Sequence, residues 1–392
     1  MVMLDKLRNK WRGSFTRLIF YGKNAKINDM KILENVPISE MTTMRMGGPA
    51  RYVIDVLEEE DAVNAFDFAR ERNLPVFVLG RGANTIAHDA GFDGVIIRNA
   101  MTGITEQSLA DGAGATKSDL LHITILGGTE WDSVVEYVSE RGLTGIEALS
   151  KIPGRAGAAP VQNIGAYGQE IADSFVSCRV YDIKAREFKT LYKVDMRFSY
   201  RHSILNTTES GRYFVISVRL RLEPGRMARP FYKSVEKYIA EHGATDFSPA
   251  GIRKIVSAIR ADKLPDPREK ASAGSFFKNI YLSEAEAVEA EAKGYPVYHG
   301  HDGLKINSAW LIEQCGLKGK LLYGMRVNDK APLVLINESA TGYADLAAAR
   351  AEIAAAVKAK FGYTLEQEPV ELVTPGQEEA ERVVPGQEEV CR

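Results

Sequence analysis

Four segments of the 392-residue chain hold residue types at spacings that could do chemistry. In Leu79-Gly-Arg-Gly-Ala-Asn84, Gly80, Gly82 and the small Ala83 let backbone N–H groups approach an anion such as a pyrophosphate. The same Gly-x-Gly also makes an ordinary tight turn. The third glycine of a dinucleotide fingerprint is missing and no helical pattern follows, so a Rossmann fold fits poorly. A denser segment runs Ile152-Pro-Gly-Arg-Ala-Gly-Ala-Ala-Pro160 and on through Val161-Gln-Asn-Ile-Gly-Ala-Tyr-Gly168. Backbone so lightly clothed is packed closely against something. That is either a crossing of chain on chain or a planar heterocycle such as a flavin, with Gln162, Asn163 and Tyr167 supplying hydrogen bonds to its edges. Phe198-Ser-Tyr-Arg-His-Ser203 gathers a Tyr, an Arg and a Ser where a strand gives way to a loop. Ala273-Gly-Ser-Phe-Phe-Lys-Asn279 sets a Ser after Gly and ahead of two aromatics and a Lys-Asn pair. By residue type alone, a loop Ser is a turn or cap residue and an Arg lies in solvent. Neither Gly-x-x-x-x-Gly-Lys-Ser/Thr nor Gly-x-Ser-x-Gly occurs, which argues against a P-loop NTPase and a serine hydrolase.

The elements that must position these segments alternate between strand and helix. Val76–Leu79 and Val95–Ile97 are short apolar runs bounded by Gly-rich turns, as buried strands are. His122–Leu126 reads as a strand running into Gly127-Gly128, then an amphipathic helix carrying Val134, Val135 and Val138 and stopped by Gly142. Phe175–Ile183 and Phe214–Leu222 alternate like half-exposed antiparallel strands. Helices are expected at Ser248–Lys263, Ser283–Lys293, Asn307–Cys315 and Tyr343–Phe361. Ser283 and Glu286 form a capping box for the second, and Gly362 closes the last. Strand-rich sequence to about Leu222 and helix-rich sequence after it predict an α+β architecture with a boundary near Pro224–Pro230.

Composition narrows the class. Hydrophobic residues at 45% and charged ones at 26% are ordinary for a globular chain, and the formal charge of −2 gives no overall field for nucleic acid. No apolar stretch approaches a membrane span. Cys178, Cys315 and Cys391 fit neither a disulfide scaffold nor a metal site, which points to a soluble chain of a reducing compartment, the cytoplasm. The two ends differ from the rest. Met1 to Lys31 holds eight Lys or Arg against two Asp, with Leu4, Leu7, Trp11, Phe15 and Leu18 near one face of a helix. It reads as a solvated extension with one docked apolar stripe rather than a transit peptide or a membrane-surface helix. The tail repeats Pro375-Gly-Gln-Glu-Glu379 as Pro385-Gly-Gln-Glu-Glu389 and is expected to be disordered.

Taken in order, the segments resemble the UDP-N-acetylenolpyruvoylglucosamine reductase family. The resemblance runs from about Asn35 to Leu372 through Thr42-Thr-Met-Arg-Met-Gly-Gly-Pro-Ala50, Gly80–Asn84, Gly91-Phe-Asp-Gly94, Gly145-Ile-Glu147, Ile152-Pro-Gly154 and Gln162–Glu170. It continues through Tyr200–Ser203, Lys263-Leu-Pro-Asp-Pro267, Ala273–Asn279, Lys305, Ala309–Ile312, Gly316–Gly319 and Leu365–Glu368. It implies an α+β fold: a two-part FAD-binding domain of the vanillyl-alcohol-oxidase type over 34–225, split near 100, with an inserted substrate domain over 226–362. A segment 363–372 returning to the active site follows, and the extensions 1–33 and 373–392 lie outside.

The implied reaction passes hydride from NADPH by way of non-covalent FAD to C3 of an enolpyruvyl group on a UDP-sugar. Gly80, Arg81, Gly82, Ala83 and Asn84 would hold the FAD pyrophosphate. Ile152, Pro153, Gly154, Gly157, Gln162, Asn163, Gly165, Ala166 and Tyr167 would line the flavin, with Arg260 a cation near the ring. Charge developing on C2 and its carboxylate needs preorganised polar groups, and Arg201 and Glu368 match those positions. A carboxylate beside an enolate helps only if protonated or bridged by a cation. Ser275 matches the residue that protonates C2. Tyr200, Tyr232, Lys263, Lys278 and Asn279 would contact the substrate. Family members usually carry Ser where this chain has Ala83, and often where it has Ala158 and Ala159, a loss of ~1 kcal/mol for a missing hydrogen bond. Another flavin oxidoreductase of the same fold, acting on an alcohol or hydroxy acid, and a binding protein without turnover are the alternatives.

Overall fold

The computed structural model describes residues 30–108, 121–300 and 303–376. Residues 1–29, with the basic amphipathic stripe, and the repeat beyond 376 lie outside the described residues. The Val95–Ile97 run is central in a four-stranded sheet ordered Ile32–Pro37, Pro49–Val56, Phe92–Asn99, Val76–Val78. The first pair in that order is antiparallel and the other two are parallel. Val95, Ile96 and Ile97 are wholly buried, because a parallel strand covered on both faces has no polar side to alternate with. The helix Glu59–Glu71 covers one face with Ala62, Ala65, Phe66 and Ala69.

A second, antiparallel sheet runs Glu187–Tyr192, Phe175–Asp182, Tyr213–Pro224, Leu121–Leu126, Ile104–Ser108. The helix Trp131–Glu140 packs Trp131, Val134, Val135 and Val138 into one of its faces. The long strand Tyr213–Pro224 departs from the half-exposed pattern its alternation predicts. Residues 214–218 are all buried, because Phe214 and Ile216 pack against Phe66 and its helix while Val215 and Val218 face the other core. One sheet thus cements both halves of the first unit.

Residues 226–263 form two helices, Lys233–His242 and Pro249–Lys263, with their own small core of Phe231, Val235, Ile252, Ile255, Val256 and Ile259. Ser248 caps the longer one by accepting from Gly251 N. Beyond them, strands Ala271–Ser275, Val334–Asn337, Met325–Val327 and Leu321–Leu322 make a sheet. The helix Tyr343–Phe361 lays Leu346, Ala349, Ile353 and Val357 onto the same core at helical spacing and ends at Gly362, φ +80°. Met44, Met46 and Ile86 from the first unit join that core. Trp310, on the helix Ser308–Gln314, packs against that core with its ring tilted about 50° to those of Tyr295 and Phe361. The chain then returns: Val370–Leu372 pairs in parallel with Thr85–Ala87. No helix among the described residues is long and apolar enough to cross a membrane.

Candidate active site

The loop after Val76–Val78 is shaped by one obligatory glycine. Gly82 has φ +67°, and a Cβ there would fall 2.2 Å from the Met41 carbonyl oxygen and 2.7 Å from Thr42 Cα. Among the described residues, no backbone N–H from Gly80 to Asn84 donates to a protein acceptor. Such a run of unspent donors on a tight turn suits a phosphate. A Cβ on Gly80 would meet only the Ala158 methyl, at 3.4 Å, so the loop lies against the small-residue passage. The Arg81 side chain is occupied elsewhere, 2.9 Å from Glu130.

The passage 152–167 does two jobs. At Gly157 it is a chain crossing: N donates to Gly127 O at 2.9 Å, and a Cβ would sit 3.1 Å from Gly127 Cα. At Gly154, φ +147°, nothing lies within 4 Å of a Cβ position, so the glycine opens space. Ile152 and Gly165 are partly exposed beside it, whereas the Asn163 side chain is wholly buried and fully used. It donates to Glu170 Oε2 at 2.7 Å and Ser199 O at 3.1 Å, and accepts from Ala172 N at 3.2 Å. Asn163 is therefore a strut for the passage. Gln162 Oε1 accepts from Asn84 Nδ2 at 2.7 Å, tying the passage to the loop of the first sheet.

Tyr167, φ +50°, stands edge-on to Tyr232 at 5.9 Å and lies beside Arg260. Burial raises the Tyr167 hydroxyl and lowers the Arg260 guanidinium, the Tyr167–Arg260 contact opposing both. Arg260 Nε is buried with no hydrogen-bond partner. A guanidinium with one buried N–H left unpaired, unspent amides and a glycine that opens space together fit an electron-rich ring attached to a pyrophosphate.

Arg201 sits at the tip of a two-residue turn in which Ser199 and His202 exchange backbone hydrogen bonds, and has the left-handed φ of +58°. Its Nη2 donates to Gly165 O and its Nε to Glu368 Oε1, both at 3.1 Å. Glu368 is held in turn by its N, which donates to Phe276 O at 2.9 Å, and by Val370 N, which donates to Asn84 O at 2.9 Å. Ser275 immediately precedes that Phe276. It follows Gly274, φ +73°, at a register shift between Ser272 and Ser275 against Val334–Asn337. Such a bulge re-aims the side chain that follows it. Arg201, Glu368 and Ser275 come from three distant stretches: Arg201 contacts the Glu368 carboxyl, and Ser275 immediately precedes the Phe276 whose carbonyl accepts from Glu368 N. Both ionic groups are mostly buried. Burial pushes the Glu368 carboxyl above its ordinary value, and Arg201 and Lys278 offset this only in part. Burial also pulls on Arg201, but the negative charge of Glu368 and its neighbours outweighs it and the guanidinium keeps its proton.

The expected substrate residues are more dispersed. The Tyr200 ring lies 4.6 Å from Tyr281 and 4.7 Å from the Arg201 guanidinium. Lys305, 5.6 Å from that ring, and Tyr281 complete a cluster that residue types did not single out. Their signal lay in the pairing of Ile280–Leu282 with Gly303–Ile306, which sets Tyr281 opposite Lys305. Lys278 Nζ is 3.4 Å from Glu366, and Asn279 Oδ1 accepts from Ser308 N at 3.2 Å. Lys263 is exposed at its helix end, and Tyr232 is about half exposed, at 49%.

Two α+β halves that present unspent amides and a small-residue passage, with a mostly buried acid and guanidinium in contact, fit an FAD-dependent oxidoreductase. Residues 50–189 match the profile of an FAD binding domain, and residues 266–372 match that of the UDP-N-acetylenolpyruvoylglucosamine reductase, C-terminal domain. The UDP-N-acetylenolpyruvoylglucosamine reductase of Ralstonia nicotianae is 36% identical, over 85% of this chain and 97% of the relative. That of Streptomyces avermitilis is 34% identical, over 86% and 94%. The crystal structure of the corresponding reductase from Thermus caldophilus superposes with a TM-score of 0.59 at 23% identity, covering 88% of this chain and all of that one. The chain belongs to the UDP-N-acetylenolpyruvoylglucosamine reductase family.

Proposed function

We propose that the chain reduces the enolpyruvyl group of UDP-N-acetylglucosamine enolpyruvate to give UDP-N-acetylmuramate, a peptidoglycan precursor, with NADPH as reductant, in the cytoplasm. The observation that carries this reading is the Arg201–Glu368 contact at 3.1 Å beside the strand end bearing Ser275. Bound FAD supplies the hydride carrier; the chain's residues do the rest. The amides of Gly80–Asn84 would hold its pyrophosphate, the open backbone at Ile152–Gly154 and Gly165–Tyr167 would line its ring, and Arg260 would supply a cation near it.

Arg201, anchored on Gly165 O, grips the acid end of the enolpyruvyl group and neutralises charge as it develops there. Glu368, whose carboxyl burial pushes toward the neutral form, can donate a hydrogen bond where a carboxylate would repel. Ser275 delivers the proton to C2 from its hydroxyl, replenished from solvent. Lys263, Lys278 and Asn279 bind the diphosphate, Tyr232 closes over the nucleotide, and Tyr200, beside the Arg201 guanidinium, contacts the substrate.

Purified protein should be yellow with an FAD spectrum, and should consume NADPH only when the enolpyruvyl substrate is present. Colourless protein that stays apo on addition of FAD would contradict the proposal. So would rapid oxygen uptake with small hydroxy acids.

A further inference from the structure

Three residues beyond Glu368, a second, half-buried ion pair ties the returning segment down. Glu371 accepts from Arg350 Nη1 at 2.5 Å and Tyr343 OH at 3.0 Å, with Gln367 Nε2 at 3.3 Å and His88 Nε2 at 3.4 Å. Arg350 Nη1 also donates to Gln367 Oε1 at 2.7 Å, and Gln367 Nε2 to Pro369 O at 2.8 Å. The buried His88 ring stacks on Tyr343 at 3.6 Å. The network therefore joins the first sheet's unit, through His88, to the helix Tyr343–Phe361 and to positions 367, 369 and 371 of the returning segment. Those positions flank Glu368 on both sides, yet none of the network's side chains is hydrogen-bonded to its carboxylate.

We propose that Arg350 and Glu371 are positioning residues for Glu368: they clamp its flanks, so that its carboxyl meets Arg201 in one geometry. This rests on the functional reading above. A three-residue strand near the end of the described chain has few bonds of its own and would fray without a tie. A buried acid works only when its supporting residues hold it within a fraction of an ångström. The Glu371 carboxyl, drawn down to about 2 by His88, Arg350 and Tyr343, stays ionised and keeps the clamp closed at any working pH.

The test uses full-length FAD holoenzyme carrying Arg350→Met, Arg350→Lys or Glu371→Gln, with the two half-reactions followed by stopped flow. Flavin reduction by NADPH should stay within ~2-fold of wild type, while reoxidation by the enolpyruvyl substrate slows by roughly 10–100-fold in Arg350→Met and recovers partly in Arg350→Lys. In a Glu368→Gln background, Arg350→Met should slow reoxidation by less than about 3-fold further, because both changes act through one group. Amide exchange at Glu368 and Val370 should quicken in Arg350→Met. Equal slowing of both half-reactions, full multiplicative loss in the Glu368→Gln background, or unchanged exchange would overturn the clamp. Should Arg350→Met fail to fold, Glu371→Gln carries the same comparisons. Wild-type enzyme that NADPH reduces but the enolpyruvyl substrate cannot reoxidise would instead remove the functional reading itself, and this inference with it.

Discussion

A buried carboxyl next to a guanidinium is balanced between two states, and at Glu368 the balance sets a measurable sign. Its folded-state pKa lies above its unfolded value, so protonation favours the fold. That stabilisation is complete below the unfolded carboxylate range and disappears as pH rises through the folded value. Against a Glu368→Gln variant, which keeps the acceptor for Arg201 but cannot ionise, wild type should lose relative stability in urea unfolding as pH rises from the ordinary carboxylate range through the raised folded value. An unchanged difference would mean that the acid is ionised throughout. Asn163 makes a complementary case. Its residue type and neighbours suggested a polar edge for a ligand, but its side chain is spent on Glu170, Ser199 and Ala172. A type pattern shows that a hydrogen-bonding group is present, not which partner claims it. Asn163→Leu should therefore cost roughly 2–4 kcal/mol in chemical denaturation, through orphaned partners and a left-handed φ of +45° that suits Asn. A loss of FAD affinity with unchanged stability would contradict that role.

Among the elements, the pair of helices 233–263 lies between the two matched regions and docks by electrostatics as well as by its small core. Arg253, only 9% exposed, donates to Asp132 Oδ1 at 2.6 Å and to Glu136 at 3.2 Å. Asp132 also accepts from Lys151 N at 2.7 Å, one residue before Ile152. Burial pushes the Asp132 acid up, but the hydrogen bonds from Arg253 and Lys151 more than offset it and leave it well below the usual range. Arg253→Met should cost about 1–3 kcal/mol by urea titration, discounted for the partly exposed acids. It should also weaken FAD binding, since Arg260 rides on the same helix. Unchanged FAD affinity would mean that the helix is set by its apolar core alone. Helices with caps and stops, such as Pro249–Lys263 after Ser248 and Tyr343–Phe361 before Gly362, were legible because their signals are local. Glu59–Glu71 was not read as a helix: its cap is Glu58 with Asp61, an unusual capping pair. Tyr213–Pro224 was found as a strand, but its second buried face depends on a helix 150 residues earlier and leaves no mark in its own alternation.

For the molecule as a whole, the site exists only because the chain returns. Residues from the turn after Phe198, the bulge before Phe276 and the segment ending at Leu372 are far apart in sequence, and no periodicity links them. Motif resemblance could nominate Arg201, Ser275 and Glu368 one by one, whereas the approach of Glu368 to the strand end after Ser275 depends on Glu368 N reaching Phe276 O and on Val370–Leu372 pairing with Thr85–Ala87. Flavin-side and substrate-side chemistry are therefore separable by residue. The most direct measurement is stopped-flow absorbance of the flavin in a Ser275→Ala variant, recorded for each half-reaction. Reduction by NADPH should run near the wild-type rate, and reoxidation by the enolpyruvyl substrate should slow by about 100-fold or more. Equal loss in both halves, or reoxidation at the wild-type rate, would contradict the role assigned to Ser275.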